Sequence, residues 1–231
     1  MKWLAGFLFL FTSAAFAAPN EVRAGYKLYR GNLLIASVEE VFSRSGDSYH
    51  ITSTSQTLGL AALLYNEKIT IKSEGRITAS GLMPTQYHFA RERNSSKAVQ
   101  ARFDWAQQQI DSQHDGMRET FALPAGMQDR LSVMYQFMFA PPKSAEISAW
   151  MSQGKEAEQY RYVRLGEEKL KTPVGEFSAL HFSRVTKDGK NQVEVWLAQD
   201  RFFLPVRITF TDRNGSFVQE LVSLSTTPAN P

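Results

Sequence analysis

The chain contains no cysteine. Its fold therefore stands without disulfides, and a leader ending in a lipid-modified cysteine is excluded. Beyond the first residues, no apolar run approaches the ~20 residues that a membrane-spanning helix requires. No run of five like charges occurs. The formal net charge is only +3, with Lys and Arg scattered along the chain, which argues against a nucleic-acid surface. The four histidines lack metal-ligand spacing, and no glycine-rich phosphate loop is present. Neither a metal nor another cofactor is expected.

What is present begins with a leader. Met1-Lys2-Trp3 is followed by an apolar stretch from Leu4 to Phe11, then by Ala15-Phe16-Ala17-Ala18. A charged start, an apolar stretch of about 10 residues and a small-x-small end form the layout of a cleaved secretory signal. The reading is a signal peptide over 1–17, cut near Ala17-Ala18, then a single β-rich domain over 18–224 and a flexible tail over 225–231. Such a leader directs the chain to export, and the mature protein is expected to have no transmembrane span and no nucleic-acid partner.

Period-two alternation dominates the rest. Lys68-Ile69-Thr70-Ile71-Lys72 puts both isoleucines on one face. Val193-Glu194-Val195-Trp196-Leu197 and Val206-Arg207-Ile208-Thr209-Phe210-Thr211 alternate in the same way. Such strands bury one face and wet the other, as antiparallel sheets do. Turn signals at Ser45-Gly46-Asp47, Asp188-Gly189 and Asn214-Gly215 separate strands, because these residues accept the positive φ of tight hairpins. About 13 strands are expected at meander spacing. The fold class is all-β: an antiparallel curved sheet or barrel-like sandwich with one main helix.

That helix is placed at about 129–139. Asp129 is a good N-cap, Leu131, Met134, Tyr135 and Met138 share one helical face, and Pro141-Pro142 ends it. Residues Ala145 to Met151 suggest a short second helix. A third apolar segment, Leu58 to Tyr65, has two readings. One is a buried helix plugging an end of the barrel. The other is a lid or lip, with Leu58, Leu60, Leu63, Leu64 and Tyr65 over a cavity for an acyl chain or other amphipath, or facing a partner.

Catalytic sets are hard to assemble. Ser132 lies three residues after Asp129, but no histidine is nearby in sequence and no G-x-S-x-G turn surrounds it. Glu39-Glu40 and Glu167-Glu168 are adjacent pairs, whose side chains point to opposite faces of a strand. Tyr87, His88, Arg91 and Arg93 are the residue types of a polysaccharide lyase, although His88 on the polar face of a strand reads as a solvated residue.

Several motifs carry a resemblance. They are Leu58-Gly59-Leu60, Arg102-Phe103-Asp104, Asp129-Arg130-Leu131-Ser132, Leu165 to Phe177 with its Thr172-Pro173-Val174-Gly175 core, Val195-Trp196-Leu197, and Leu204-Pro205-Val206-Arg207. In this order and spacing, from about Tyr26 to Leu224, the chain resembles a family of exported bacterial proteins catalogued as a domain of unknown function. The resemblance implies a Gram-negative periplasm and a barrel-like β fold, and it transfers no catalytic residue. The motif residues also have structural readings. Asp129 and Ser132 start a helix, Pro173 and Gly175 make a turn, Trp196 packs on a sheet face, and Pro205 opens a strand.

The expected function is a non-catalytic periplasmic binding or envelope-maintenance protein that holds an amphipathic, lipid-like or glycan ligand in a barrel cavity. The alternatives are an enzyme acting on polysaccharide, as a lyase or hydrolase, and a scaffold for another envelope protein.

Overall fold

The computed structural model describes residues 18–186, 192–213 and 215–228. The leader and the Asp188-Gly189 turn lie outside the described residues. Strands in the first half are β1 (Glu21–Arg30), β2 (Leu33–Ser45), β3 (Ser48–Thr57), β4 (Lys68–Thr78), β5 (Gly81–Arg91), β6 (Val99–Asp104), β7 (Gln109–His114) and β8 (Met117–Ala122). The second half contributes β9 (Gln128–Asp129), β10 (Glu146–Ser152), β11 (Ala157–Thr172), β12 (Gly175–Arg184), β13 (Gln192–Ala198), β14 (Leu204–Asp212) and β15 (Gly215–Thr227). Among the described residues there are two short α-helices, α1 (Gly59–Leu64) and α2 (Ser132–Tyr135), and three 3-10 turns, over Ser95–Lys97, Gln136–Met138, which extends α2, and Gln199–Arg201.

All fifteen strands belong to one sheet, in the order β8-β7-β6-β5-β4-β3-β2-β1-β15-β14-β13-β12-β11-β10-β9. It is an up-and-down meander whose first and last strands pair at its centre, Glu21 opposite Thr227 and Arg30 opposite Phe217. Neighbours are antiparallel except β9 and β10, where Gln128 faces Met151 and Asp129 faces Ser152. Alternation sets the faces: Val22, Ala24 and Tyr26 are buried along β1, while Arg23 and Lys27 are exposed.

The sheet curls until its two ends meet. No ladder joins β8 to β9; the seam is made by individual contacts. The Ser112 hydroxyl of β7 donates to the Gly154 carbonyl in the β10–β11 turn. The Gln128 amide donates to the Leu82 carbonyl at 2.8 Å. Asp115, after β7, pairs with Lys97 at 2.7 Å and with Lys155 at 2.5 Å. Gly154 sits at φ +83°, so close to β6 that an added Cβ would collide with Val99. Glycine is required there by both backbone and space.

The roll is filled rather than hollow. Tyr135 of α2 is fully buried and stacks on Phe42 with ring centroids 5.6 Å apart. Leu131 and Met138 join the same core, which continues through Tyr49, Ile51, Ile110 and Phe103. On the other flank, Met134 and Phe137 cover Phe182, Val195 and Leu197. The crevice left there, between Met134 and Ile147, has a volume of about 30 Å³, the share of one water molecule.

Four expectations need correction. The main helix is shorter than 129–139, because Asp129 is drawn into a strand beside Ser152 and the last turn tightens to a 3-10 form. Residues Ala145 to Met151 form no helix; Glu146–Ser152 is a strand paired along its length with β11. The expected tail is ordered through Thr227, since 225–227 pair with Arg23, Val22 and Glu21; residues 229–231 lie outside the described residues. The segment Leu58 to Tyr65 is not a buried plug. Helix α1 has no buried residue, and Leu60, Leu63 and Leu64 are 65%, 81% and 89% exposed.

Candidate functional site

Two polar clusters and one cleft concentrate the unusual chemistry. The first cluster is built around Asp129. One carboxylate oxygen accepts the backbone N–H groups of Leu131 at 2.8 Å and Ser132 at 2.9 Å. The other accepts the Ser73 hydroxyl at 2.5 Å, and the Ser132 hydroxyl accepts the Asp129 N–H at 2.8 Å. Tyr49 joins through its 3.2 Å contact with Ser73. Asp129, Ser73 and Ser132 are all fully inaccessible. Burial pushes the Asp129 carboxyl up to about 6, against the opposing effect of its hydrogen bonds. Nearby, Glu40 accepts the Tyr135 hydroxyl at 3.0 Å and the Ser53 hydroxyl at 3.1 Å. Desolvation raises its carboxyl too, partly offset by those bonds and by the charge of Arg130.

The second cluster lies on a row of register partners: His181, Trp196, Arg207 and Glu220 stand side by side on β12, β13, β14 and β15. The His181 ring stacks on Trp196 at 4.1 Å. Its Nδ1 lies 3.1 Å from Glu168 and its Nε2 3.3 Å from Glu194. The Trp196 indole donates to Glu168 at 2.5 Å, and Arg207 pairs with Glu220 at 2.5 Å. The two carboxylates bracket the ring from opposite nitrogens, so they do not converge on one point. Among the described residues, no group of three or more His, Asp or Glu side chains could hold a metal ion.

The cleft opens on the seam. It has a volume of about 470 Å³ and lies between the end of β5 and the β10–β11 turn. Tyr87, Phe89 and Tyr160 form aromatic walls, and Arg91, Lys97, Arg130 and Lys155 supply cations against Glu156 and Glu158. Three of those cations have acidic partners. Arg91 pairs with Glu67 at 2.8 Å, and the two lysines share Asp115. Arg130 is exposed and has no ion pair among the described residues. It follows Asp129, whose carboxylate ties down the backbone of the next two residues, Leu131 and Ser132.

The residues singled out from sequence are dispersed. Tyr87 and Arg91 meet in this cleft, but His88 pairs beside Lys72 on the opposite face of β5, and Arg93 stands by α1 with its guanidinium 5.3 Å over Tyr65. Ser132 has Asp129 as its partner and no histidine. Pro173 and Gly175 lie in the β11–β12 turn, where Thr172 bonds to both Val174 and Gly175. Pro205 is the second residue of β14, and its carbonyl accepts the Tyr26 hydroxyl at 3.1 Å. Leu58 is half-buried and donates its N–H to Ile35, anchoring α1 to β2. Lys97, Lys155 and His181 escaped the sequence reading. No local pattern marks them, because each acquires its neighbours from strands distant in the chain.

The tyrosines of the cleft are poor bases. Burial raises the Tyr87 hydroxyl well above the ordinary phenol range, and burial with Glu158 raises Tyr160 similarly. A general base works best with a pKa near the operating pH.

No curated protein matches the chain in sequence. Among solved structures, the chain is similar to a β-barrel-like protein of domain of unknown function DUF1849 from Brucella abortus. The identity is 13%, covering 90% of this chain and 98% of that one, with a TM-score of 0.56. That likeness shows the barrel-like fold. A hypothetical protein from Chlamydia trachomatis (9% identity, 93% and 90% covered, TM-score 0.38) and an exported protein with a YmcC-like fold from Bacteroides fragilis (10%, 90% and 96%, TM-score 0.33) also match, at scores too low to argue from. No helix of the described residues is long and apolar enough to cross a membrane. Residues 25–222 match the family described as "Protein of unknown function (DUF3108)". The barrel-like meander, with its motifs spread over both halves, belongs to that family.

Proposed function

We propose that this is a non-catalytic binding protein of the periplasm, and that its ligand is an anionic amphipath or acidic glycan held in the seam cleft. The observation that carries this reading is Arg130: an exposed guanidinium, without an ion pair among the described residues, that lines an aromatic-walled cleft. A guanidinium binds carboxylate or phosphate through two parallel hydrogen bonds, and ring faces receive sugar or acyl surface. The filling of the interior by α2 and its neighbours supports a site at the seam over one in a central cavity. The raised hydroxyls of the cleft tyrosines and the separation of His88 from them support binding over turnover.

The test is native mass spectrometry of the protein purified from the periplasm of an expressing Gram-negative cell. An adduct of anionic lipid or glycan is expected, weakened about tenfold or more in Arg130→Gln, since a hydrogen bond to a charged group contributes roughly 1.5–3 kcal/mol. Equal retention by Arg130→Gln would remove the cleft as the site. A bare mass together with consumption of an acidic polysaccharide would replace binding by catalysis.

A further inference from the structure

Neighbouring strands run antiparallel, so the β1–β2 turn, α1, the end of β5, the β7–β8 turn and the β14–β15 turn all lie at one end of the roll. Among the described residues, ten large apolar side chains are exposed, and eight of them lie at this end. That asymmetry separates the end from ordinary surface scatter. Five of the eight form a lip. Leu60, Leu63 and Leu64 share one helical face, with Tyr65 and Leu33 beside them. The helix is pinned underneath by small, half-buried Ala61 and Ala62 and by the Leu58 bond to β2, so its leucines project outward by construction.

The charge around the lip is net positive. Arg30, Lys68 and Arg93 flank it against Glu92, while Glu67 is buried and paired with Arg91 beneath Tyr65. An apolar ridge this exposed, with a net cationic border, suits a fluid surface that deforms around it, whereas a folded partner would need a matching groove. We propose that this end of the protein docks on an anionic bilayer surface, with the α1 leucines entering the acyl boundary and the flanking cations meeting lipid phosphates. The docking does not depend on what the cleft holds.

The absence of cysteine gives a clean test. An environment-sensitive fluorophore is attached at Leu64→Cys, and separately at Val174→Cys in the β11–β12 turn at the opposite end. Each labelled protein is mixed with phosphatidylglycerol–phosphatidylcholine vesicles and with pure phosphatidylcholine vesicles. A blue shift is expected at Leu64 with the mixed vesicles only, weakened by Arg93→Glu and by salt, and none at Val174. In flotation, Leu60→Ser with Leu63→Ser should lower partitioning about tenfold or more, given the apolar area these side chains would bury. Arg130→Gln should leave docking unchanged, which separates failure of this proposal from failure of the cleft. An unshifted Leu64 label, an equal shift at Val174, or an equal response to neutral vesicles would overturn it.

Discussion

Helices α1 and α2 are both a turn or two long, and their fates are opposite. Gly59–Leu64 is apolar throughout and lies outside, with no residue buried. Ser132–Tyr135 carries two hydroxyls and lies at the centre, with Ser132, Val133 and Tyr135 buried. Apolar content alone would reverse the assignment. The difference lies in how the polar groups are satisfied. The first N–H groups near α2 meet Asp129, the Ser132 hydroxyl meets the Asp129 backbone, and the Tyr135 hydroxyl meets Glu40. A helix whose polar groups are all paired can be buried. Helix α1 has no side-chain cap, so its N-terminal N–H groups depend on solvent.

Breaking the inner helix should have the largest effect. Tyr135→Ala removes a ring stacked on Phe42 and leaves Glu40 without its phenol partner. We expect a loss of about 3–5 kcal/mol in denaturant unfolding, as for other large core aromatics. A loss under 1 kcal/mol would mean that the interior is not packed around α2.

The lock at Asp129 should show in pH dependence. Its carboxyl is pushed up to about 6, so folding favours the protonated form. Stability from this group is complete below the unfolded value near pH 4 and is lost as pH rises through about 6, a change of about 3 kcal/mol. Asp129→Asn keeps the acceptor for Leu131 and Ser132 but does not titrate. Its stability relative to wild type should rise by that amount between about pH 3 and 7, most of it between pH 4 and 6. The raised Glu40 carboxyl is common to both proteins and cancels in the difference. Parallel stability curves would refute the assignment.

The smallest effect is expected outside. Leu60→Ser with Leu63→Ser and Leu64→Ser should shift the unfolding free energy by no more than about 0.5 kcal/mol per site, the range for exposed positions. Greater destabilisation would place α1 against something that this fold does not show.

Much of the sheet was legible. Alternation at Ile69 and Ile71 or at Val193 and Val195 depends only on neighbours in sequence, and so does the turn at Gly46. Boundaries were less so. Glu146–Ser152 alternates too weakly to reveal a strand that exists because β11 pairs with it. The start of α2 moved because Asp129 bonds to Ser73, 56 residues away. The cleft was least legible. Arg91, Arg130 and Lys155 become neighbours only when the two sheet ends meet, and no spacing in the chain encodes that.

The pairing of β1 with β15 also governs the order of assembly. β1 borders β15, fourteen strands later, so one long edge of β1 waits, unpaired, until β15 docks. Through that interval the chain carries an open edge of the kind that recruits foreign strands. The sheet cannot be completed from the N-terminus onward; it is finished by a single late insertion at its middle. The contact that closes the sheet spans nearly the whole chain, from Glu21 to Thr227. Folding dominated by such a closure is slow. A helper that shields strand edges during this delay would speed recovery of this protein more than one that acts on its finished surface.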